Sequence, residues 1–395
     1  MTSIITMARR HEGTSRGPVR VGAMWLTVAA AACSLMAQAP AGSLVYVGTY
    51  TGEKSKGIYA FRFDTTTGAL TPVGLVAETK SPSWLALHPS GRFLYAANET
   101  NSFDAEKGGG VSAFAIDRAT GALTLLNAHS SRGAHPCHLA IDRAGTYLVA
   151  ANYSGGNLAV LPIGADGRLA PASQVVQHAG SGANARRQKG PHAHSVDFDA
   201  TGGFLVSADL GADKLFVYKY DAATGRLAAN EPPAAVAEPG AGPRHFAFHP
   251  GGRLAFAINE LTSTMTSYTW NRSSGTLSPG PTVSTVPGPM PDNSTAEIRV
   301  HPNGQFLYGS NRGHDSIAVF RIAPATGALT LVEHEPTRGK TPRNFTIDPS
   351  GQWLVAANQD TDTLAVFRID QKTGALTAVG DLTAVGSPVS VVFVP

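Results

Sequence analysis

A four-residue sequence that recurs along the chain is the feature that most constrains the fold. Thr-Gly-Ala-Leu or a close variant occurs five times, and two looser copies keep the Gly and the Leu. The seven copies occupy residues 67–70, 120–123, 166–169, 224–227, 274–277, 326–329 and 373–376. Their spacing of roughly 50 residues is typical of solenoids, propellers and other repeat arrays. Such a repeat takes precedence over the two or three domains that a chain of 395 residues would otherwise suggest.

Each repeat predicts four short strands. In the clearest unit they span residues 82–89, 92–98, 110–117 and 122–126, and Gly, Pro, Asn and Asp separate them. Strands of this length between turn residues are typical of antiparallel sheets. Seven such units predict an all-β fold, a seven-bladed β-propeller with four-stranded antiparallel blades.

The two ends of the chain predict how the ring closes. Residues 44–48 match the second strand of the unit, and residues 388–394 match the first. We therefore expect the C-terminal strand to join the three N-terminal strands in one blade. This arrangement closes the ring and removes an exposed sheet edge.

The first forty residues predict an export signal. Four arginines precede an apolar run over residues 21–37, and Ala39, Pro40 and Ala41 fit a small-x-small cleavage site. We assign residues 1–41 to a signal peptide and residues 42–395 to the propeller domain, and we expect a periplasmic or secreted bacterial protein. A retained membrane anchor is the alternative.

Composition narrows the partners of the processed chain. Cys137 is its only cysteine, so no intramolecular disulfide can form. The net charge of the full 395-residue sequence, +3, is small and dispersed, which does not indicate binding to nucleic acid. We expect no stable membrane insertion after processing, and the sequence leaves the oligomeric state open.

The topology predicts that one face, here called the top face, carries the functional site. The short Pro-Ser-Gly and Thr-Gly turns lie on the opposite, bottom face, and the irregular loops lie on top, where binding sites concentrate. The first residues of the innermost strands form a first ring of Ser83, Cys137, His194, Arg244, Ala296, Arg343 and Val389. A second ring follows with Trp84, His138, Ser195, His245, Glu297, Asn344 and Ser390. At the top of the second strands stand Tyr50, Glu99, Tyr153, Leu210, Glu260, Arg312 and Gln359.

These rings gather charged and imidazole groups on the top face, as a pocket for an anionic or hydroxylated ligand requires. His194 has no His at the equivalent positions of other blades, so the fold itself does not require it. For Arg244 and Glu260 the alternative to a functional role is an ion pair that only ties one blade together. The loop over residues 177–192 carries Arg186, Arg187 and Lys189. It is either a cationic flap over a phosphate or carboxylate, or a solvated basic loop.

At these residues the chain resembles the seven-bladed lactonase family, which includes bacterial 6-phosphogluconolactonase and the fungal carboxy-muconate lactonizing enzyme. The resemblance covers roughly residues 43–395, and its most specific part is the run over residues 240–261. The matching stretches are residues 240–245, 248–250, 259–261 and 341–343, with His194, Ser195, Asn311 and Arg312.

The resemblance implies lactone chemistry on a carboxylated or phosphorylated small-molecule substrate, without a required metal or other cofactor. The active-site residues of the family correspond to His194, Arg244, Glu260 and Arg312, with His192 and His138 as alternatives to the first. We expect further substrate contacts from His138, His245, Glu297, Arg343, Asn344 and Tyr153.

Lactone opening needs water activated by a general base, and His194 or Glu260 can serve. The arginines can hold an anionic group of the substrate or stabilise the oxyanion that develops at the carbonyl. The leading hypothesis is therefore a hydrolase that opens a sugar-acid lactone. The export signal favours an unphosphorylated sugar lactone, or another periplasmic lactone, over cytosolic 6-phosphogluconolactone.

Three alternatives remain. The first is a lactonizing cyclase of the muconate type, which uses similar groups in the opposite direction. The second is a non-catalytic propeller that binds a protein or glycan on its top face, because a fold alone does not fix a function. The third is a metal-dependent lactonase with the oxygen ligands that Ca²⁺ prefers, supplied by Glu99, Asn152, Asp209 and Glu260.

Overall fold

The computed structural model describes Gly17 and residues 42–103 and 106–395. The predicted signal peptide over residues 1–41 lies, apart from Gly17, outside these described residues. Within them all regular structure is β-strand, and no helix that could cross a membrane is present. The all-β prediction is confirmed.

Seven four-stranded antiparallel sheets form the blades of the propeller, and we number them from the N-terminus. From the innermost strand outwards, blade 1 contains Pro388–Val394, Ser43–Thr49, Gly57–Phe63 and Leu70–Glu78. Blade 2 contains Pro82–Leu87, Phe93–Asn98, Gly110–Ile116 and Leu123–Ser130. Blade 3 contains Pro136–Ile141, Tyr147–Asn152, Asn157–Pro162 and Gln174–Gln177.

The remaining blades repeat this order. Blade 4 contains Ala193–Phe198, Phe204–Asp209, Lys214–Asp221 and Arg226–Val236. Blade 5 contains Pro243–Phe248, Leu254–Asn259, Thr264–Asn271 and Thr276–Ser284. Blade 6 contains Ser294–Val300, Phe306–Arg312, Ser316–Ile322 and Leu329–Pro336. Blade 7 contains Pro342–Ile347, Trp353–Asn358, Thr363–Ile369 and Leu376–Ala384, and a small hairpin in blade 2 pairs Ser102–Phe103 with Glu106–Lys107.

The ring closes as the chain ends predict. Pro388–Val394 pairs antiparallel with Ser43–Thr49, and Leu44 lies opposite Val394. The last strand of the chain is thus the innermost strand of blade 1. It supplies the fourth strand that blade 1 would otherwise lack, and hydrogen bonds between the two ends of the described chain close the ring.

The recurrent Thr-Gly sequence forms the turn between the third and fourth strands of each blade. In blade 2 the amide of Gly121 donates to the carbonyl of Asp117 at 2.7 Å, and the Asp117 carboxylate accepts from the amide of Ala119 at 2.9 Å. Gly121 has a φ of 83°, in the left-handed region that side chains with a Cβ disfavour. All seven repeat glycines have a positive φ, which explains why this position is always Gly.

The same turn also contacts the preceding blade. The hydroxyl of Tyr46, in blade 1, donates to the carbonyl of Gly121 in blade 2 at 3.0 Å, and Tyr95 makes the same bond to Gly167 at 2.9 Å. A Cβ added at Gly225 would lie 2.3 Å from the ring of Tyr147 in blade 3. The repeat is therefore a contact between blades as well as a turn.

The hydrophobic core lies between the blades. In the described part of the chain the buried apolar residues form seven clusters, and each cluster joins two neighbouring blades. The cluster between blades 7 and 1 packs Trp353 against Phe63, with ring centroids 5.9 Å apart. Each blade therefore buries its apolar surface against the two neighbouring blades, and this burial stabilises the ring as a whole.

Gly225→Ala tests the contact between blades. The substitution places a Cβ against the Tyr147 ring at a residue with a φ of 71°. Gly202→Ala is the matched control, because Gly202 has a φ of 72° but no atom within 4 Å of the added Cβ. We expect Gly202→Ala to lower the free energy of unfolding by about 1–2 kcal/mol through backbone strain, and Gly225→Ala to lower it by about 1–3 kcal/mol more through overpacking. Urea unfolding measures both, and equal losses would contradict a role for the contact.

Candidate active site

The top end of the channel contains a cavity of about 310 Å³. It is lined by Glu99, Cys137, Tyr153, Arg187, His194, Glu260, Ser294, Arg312 and Arg343. A narrow extension leads deeper, where Ser83, Trp84, Arg244, His245 and Val389 join the lining. Most of these side chains are charged or form hydrogen bonds, as expected of a pocket for a polar ligand.

A β-bulge at the top of the innermost strands brings these side chains to the channel. In blade 5, Pro243 pairs with Asn259 and His245 with Ile258, so Arg244 is the extra residue. The same shift occurs at Ser83, Cys137, His194, Arg343 and Val389. Because a bulge breaks the alternation of a strand, both Arg244 and His245 line the channel. The predicted first ring is the row of bulged residues.

Glu260 is shared by three arginines. Its Oε2 accepts from Nε of Arg244 at 3.1 Å and lies 3.0 Å from Nη2 of Arg312, and its Oε1 accepts from Nη2 of Arg187 at 2.7 Å. Arg244 and Arg312 also donate to backbone carbonyls of blade 6 at 2.7 and 2.6 Å. These two belong to strands, and their side chains are 3% and 13% exposed, whereas that of Arg187 belongs to a loop and is 43% exposed. Arg187 is therefore the partner that can leave Glu260 most easily.

The electrostatics of this cluster keep Glu260 ionised. Burial by itself raises the pKa of the Glu260 carboxyl, but Arg312, Arg244, His194 and Arg187 together outweigh it and hold that pKa well below its ordinary value. Burial lowers the pKa of Arg312 to about 9, against the effect of Glu260, so Arg312 still carries its charge at neutral pH. Glu260 thus serves as a fixed anion that holds guanidinium groups in place.

His194 lines the same cavity from blade 4 and is buried. Its Nδ1 lies 3.7 Å from Sγ of Cys137, and its ring meets that of Tyr153 edge-on at 5.3 Å. Burial, then Arg244 and His245, lower the pKa of His194 well below its ordinary value. The imidazole is therefore neutral and can donate or accept a hydrogen bond to a ligand. Burial also raises the pKa of the Cys137 thiol, so this cysteine does not provide a thiolate.

On the other side of the cavity Tyr50, Glu99 and Arg343 form a second group. The hydroxyl of Tyr50 donates to Oε2 of Glu99 at 2.8 Å, and the guanidinium of Arg343 lies 5.2 Å from the centre of the Tyr50 ring. Burial raises the pKa of Tyr50, with Glu99 acting in the same direction, so the phenol keeps its proton. Glu99 is not among the residues predicted for the lactonase site, although its position after the Asn of blade 2 is equivalent to that of Glu260 in blade 5.

The aromatic side chains in the second ring of residues around the channel form the floor of the site. Trp84 stacks on His138 with centroids 3.9 Å apart, and both rings lie within 5.3 Å of His245. His245 accepts from Nη1 of Arg244 at Nε2, since an arginine can only donate, and its Nδ1 therefore donates to Glu297 at 3.2 Å. Asn344 donates to the other oxygen of Glu297 at 2.5 Å. The floor is thus a hydrogen-bonded layer that separates the top cavity from the lower channel.

The long basic loop over residues 177–192 is anchored to blade 4. Gln188 is buried and donates to the carbonyl of Leu210 at 2.8 Å and to the carboxylate of Asp213 at 2.5 Å. Arg187 also donates to the hydroxyl of Tyr153 at 3.1 Å. Arg186 and Lys189 are exposed and do not line the cavity. One of the three basic residues therefore faces the cavity, and the other two are exposed to solvent.

The four residues predicted to be catalytic lie together, because His194, Glu260 and Arg312 line the cavity and Arg244 lines its extension. The six residues predicted to bind substrate do not all line the cavity. Arg343 and Tyr153 line the cavity, His245 lines the extension, and His138, Glu297 and Asn344 belong to the floor or the channel below. Ser294 lines the cavity and was missed by the sequence analysis, because the innermost strand of blade 6 begins earlier relative to the ring than the others.

The four oxygen ligands of the calcium alternative are not assembled. Asp209 accepts from the amide of His192 and pairs with His178 at 2.6 Å, and Asn152 is hydrogen-bonded to Ser131. Only Glu99 and Glu260 of the four line the cavity. Among the described residues no group of three or more His, Cys, Asp and Glu side chains is spaced to hold a metal ion.

Comparisons with known proteins agree with this architecture. The family model described as "Lactonase, 7-bladed beta-propeller" matches residues 44–393. A 6-phosphogluconolactonase of Bacillus subtilis (strain 168) is 38% identical over 301 residues, which cover 76% of this chain and 83% of the relative. A 6-phosphogluconolactonase of Formosa agariphila is 35% identical over 307 residues, which cover 77% and 86%.

A solved structure extends the similarity to three dimensions. The periplasmic gluconolactonase of Pseudomonas aeruginosa superposes on this chain with a TM-score of 0.83 at 34% sequence identity. The match covers 89% of this chain and 99% of that protein.

Glu260→Gln tests the charge balance of the site. The change removes the anion shared by three cations, and we expect it to lower the free energy of unfolding at pH 7 by about 3–5 kcal/mol, as for other broken buried ion pairs. Since the folded-state pKa of Glu260 lies below the unfolded one, its contribution is present above about pH 4.3 and is lost as the pH falls below that value. The difference between wild type and variant should therefore shrink from pH 7 to pH 3 in urea unfolding. Glu238→Gln, at an exposed loop residue, should show neither effect, and a constant difference across this range would contradict the assignment.

Proposed function

The chain belongs to the family of seven-bladed β-propeller lactonases, and we propose that it hydrolyses a sugar-acid lactone in the top cavity. The observation that carries this proposal is the set of guanidinium groups around the cavity, from Arg187, Arg312 and Arg343, with Arg244 directly below. A neutral lactone becomes anionic at its carbonyl oxygen when water adds to it. Fixed cations stabilise that developing charge without having to reorganise.

Glu260 makes this arrangement possible. Three like charges would repel one another in a buried site, and the shared carboxylate offsets that repulsion while it orients Arg244 and Arg312. Because the pKa of Glu260 is held below its ordinary value, it is a weak base. We therefore assign Glu260 to positioning, and Arg312 and Arg343 to the oxyanion or to an anionic substituent of the substrate.

His194 contributes a neutral hydrogen-bonding group on the same wall. Its pKa lies well below the ordinary value, so a protonated imidazole is not available as a general acid at neutral pH. A neutral ring is suited to bind a hydroxyl of the substrate. Together with Tyr153, it gives the cavity the polar character that a sugar lactone requires.

The substrate class follows from the cavity and the export signal. A polar, cationic pocket suits an anionic or hydroxylated lactone, and the named relatives include both 6-phosphogluconolactonases and a periplasmic gluconolactonase. With a signal peptide over residues 1–41 the protein acts in the periplasm or outside the cell, where an unphosphorylated sugar lactone is the expected substrate.

The activity itself is the first test. The purified protein should open glucono-δ-lactone or its 6-phosphate faster than the spontaneous rate, equally with and without a chelator. Arg312→Ala should lower kcat by about 10²–10³-fold, the usual loss when one oxyanion-stabilising group is removed. Arg253→Ala, at an exposed residue on the bottom face, is the control and should keep full activity.

Other outcomes distinguish the alternatives. A folded protein that accelerates the opening of no lactone would support the binding propeller, and activity only in the direction of ring closure would support the cyclase. Loss of activity on chelation would support the metal-dependent alternative.

Arg187→Ala tests whether the basic loop discriminates between substrates by their charge. Arg187 is the most exposed of the three arginines on Glu260, so an anionic substituent can compete for it. We expect the variant to raise KM for the 6-phosphorylated lactone by roughly tenfold, a loss of about 1.4 kcal/mol, and to change KM for the unphosphorylated lactone little. Lys189→Ala, in the same loop but outside the cavity, serves as the control. Equal effects on both substrates would contradict a role in charge recognition.

A further inference from the structure

We propose that Glu99 is the general base that activates the hydrolytic water, an inference that rests on the lactonase function proposed above. Two carboxylates line the top cavity, Glu99 and Glu260. They differ in whether guanidinium groups are already paired with the carboxylate oxygens. A carboxylate whose oxygens are paired with cations is a poor acceptor for a proton from water.

Glu260 is fully engaged, because both its oxygens are paired with guanidinium groups. Glu99, in contrast, forms no ion pair among the described residues, and its one side-chain hydrogen bond runs from Tyr50 to Oε2. Its Oε1 accepts no hydrogen bond from the described residues, and Glu99 lines the cavity. A single neutral donor fixes the orientation of a carboxylate and leaves the second oxygen free for water.

The position of Glu99 in the ring suits this role. Glu99 follows the second strand of blade 2, and Glu260 follows that of blade 5, three blades further around the ring of seven. The two residues therefore approach the cavity from opposite sides. A lactone bound between them can direct its carbonyl oxygen to the arginines around Glu260, while a water held by Glu99 approaches the carbonyl carbon from outside the carbonyl plane. Glu99 and the arginines paired with Glu260 are thus on opposite sides of the cavity.

The backbone holds Glu99 in this place. Its amide donates to the carbonyl of Ser81 at 2.9 Å, and Asn98 beside it is buried and donates to the carbonyl of Lys80 at 2.7 Å. Tyr50 reaches Glu99 from blade 1, so two blades fix the carboxylate. Such support keeps a base in hydrogen-bonding reach of its water.

The other candidates in the cavity fit less well. Cys137 directs its thiol at backbone carbonyls of blade 4 at 3.4 and 3.8 Å. The hydroxyl oxygen of Tyr153 already accepts a hydrogen bond from Arg187. His194 is neutral, and the surrounding arginines oppose the positive charge that it would gain by accepting a proton.

The proposed reaction has two steps, the addition of water and the opening of the ring. Glu99 accepts one proton from water while the water oxygen forms a bond to the carbonyl carbon, and the carbonyl oxygen takes the negative charge beside the arginines. The tetrahedral intermediate then collapses and breaks the bond between the carbon and the ring oxygen. Glu99 returns its proton to that oxygen, which becomes a hydroxyl, and the product is the open hydroxy acid.

Glu99→Gln tests the base with glucono-δ-lactone as the probe. The amide keeps the shape and the contact with Tyr50 but cannot accept a proton, so we expect kcat to fall by about 10²-fold or more with KM little changed. The melting temperature should stay at the wild-type value, and Glu53→Gln, at an exposed top-face residue, should behave like wild type. A variant that retains wild-type kcat would overturn the proposal.

Chemical rescue separates a base from a structural residue. Glu99→Ala leaves space for a small carboxylate, and added formate should restore a substantial part of kcat in a concentration-dependent way. Glu260→Ala should not respond to formate in this manner, because its loss misplaces the arginines. A loss of kcat in Glu99→Ala that formate does not restore would overturn the role as base. If the wild type itself opens no lactone, it is the proposed function that fails, which is a different result from an active wild type with an active Glu99→Gln variant.

Discussion

The contact between the Thr-Gly turn of one blade and the second strand of the preceding blade is the constraint on which the rest of the structure depends. At each repeat glycine an added Cβ would meet a side chain at the start of that strand, at distances from 2.3 to 3.1 Å. The contact runs around the whole ring, including from blade 1 to Trp353 of blade 7. Because the seven hydrophobic clusters also lie between blades, blade spacing is set at the bottom face and through the core. On the top face the bulge of the innermost strand recurs, but the side chains that line the channel differ from blade to blade, so the lining is free to vary.

That freedom is what a buried cluster of cations needs. Arg244, Arg312 and Glu260 lose their hydration in the site, and such groups are stable only when the geometry of their partners is fixed. Two adjacent blades supply it: Arg244 and Glu260 extend from blade 5 and Arg312 from blade 6, and both arginines also bind carbonyls of blade 6. A change in blade spacing would separate the charges and leave them buried without partners. The rigidity of the bottom face and the chemistry of the top face are therefore linked through the ring.

Most of the fold and the ring positions of the site could be predicted from the sequence, whereas the pairing within the site could not. A strict repeat fixes strand number, order and closure, so the position of Arg244 at the top of an innermost strand follows from counting. The β-bulge that brings both Arg244 and His245 to the channel does not follow from counting, because it changes the period of the strand at one residue. The contact of Arg187 with Glu260 spans 73 residues and depends on the path of a loop. Glu99 was visible as the equivalent of Glu260, but the two differ in that Glu260 is paired with arginines and Glu99 forms no ion pair with a described residue.

The division between strands and loop within the arginine cluster separates two properties of the site. Arg244 and Arg312 are buried on strands and satisfy both Glu260 and backbone carbonyls, so a bound anion gains little by displacing them. Arg187 comes from a loop, and its half-exposed ion pair is weakened by solvent screening, so an anionic substituent of a substrate can replace Glu260 as its partner at small cost. In the mechanism that we propose, the strands therefore set the electrostatic field at the reacting carbonyl, and the loop responds to the remainder of the substrate. A change in that loop would then alter which lactone binds while the charges that stabilise the oxyanion stay in place.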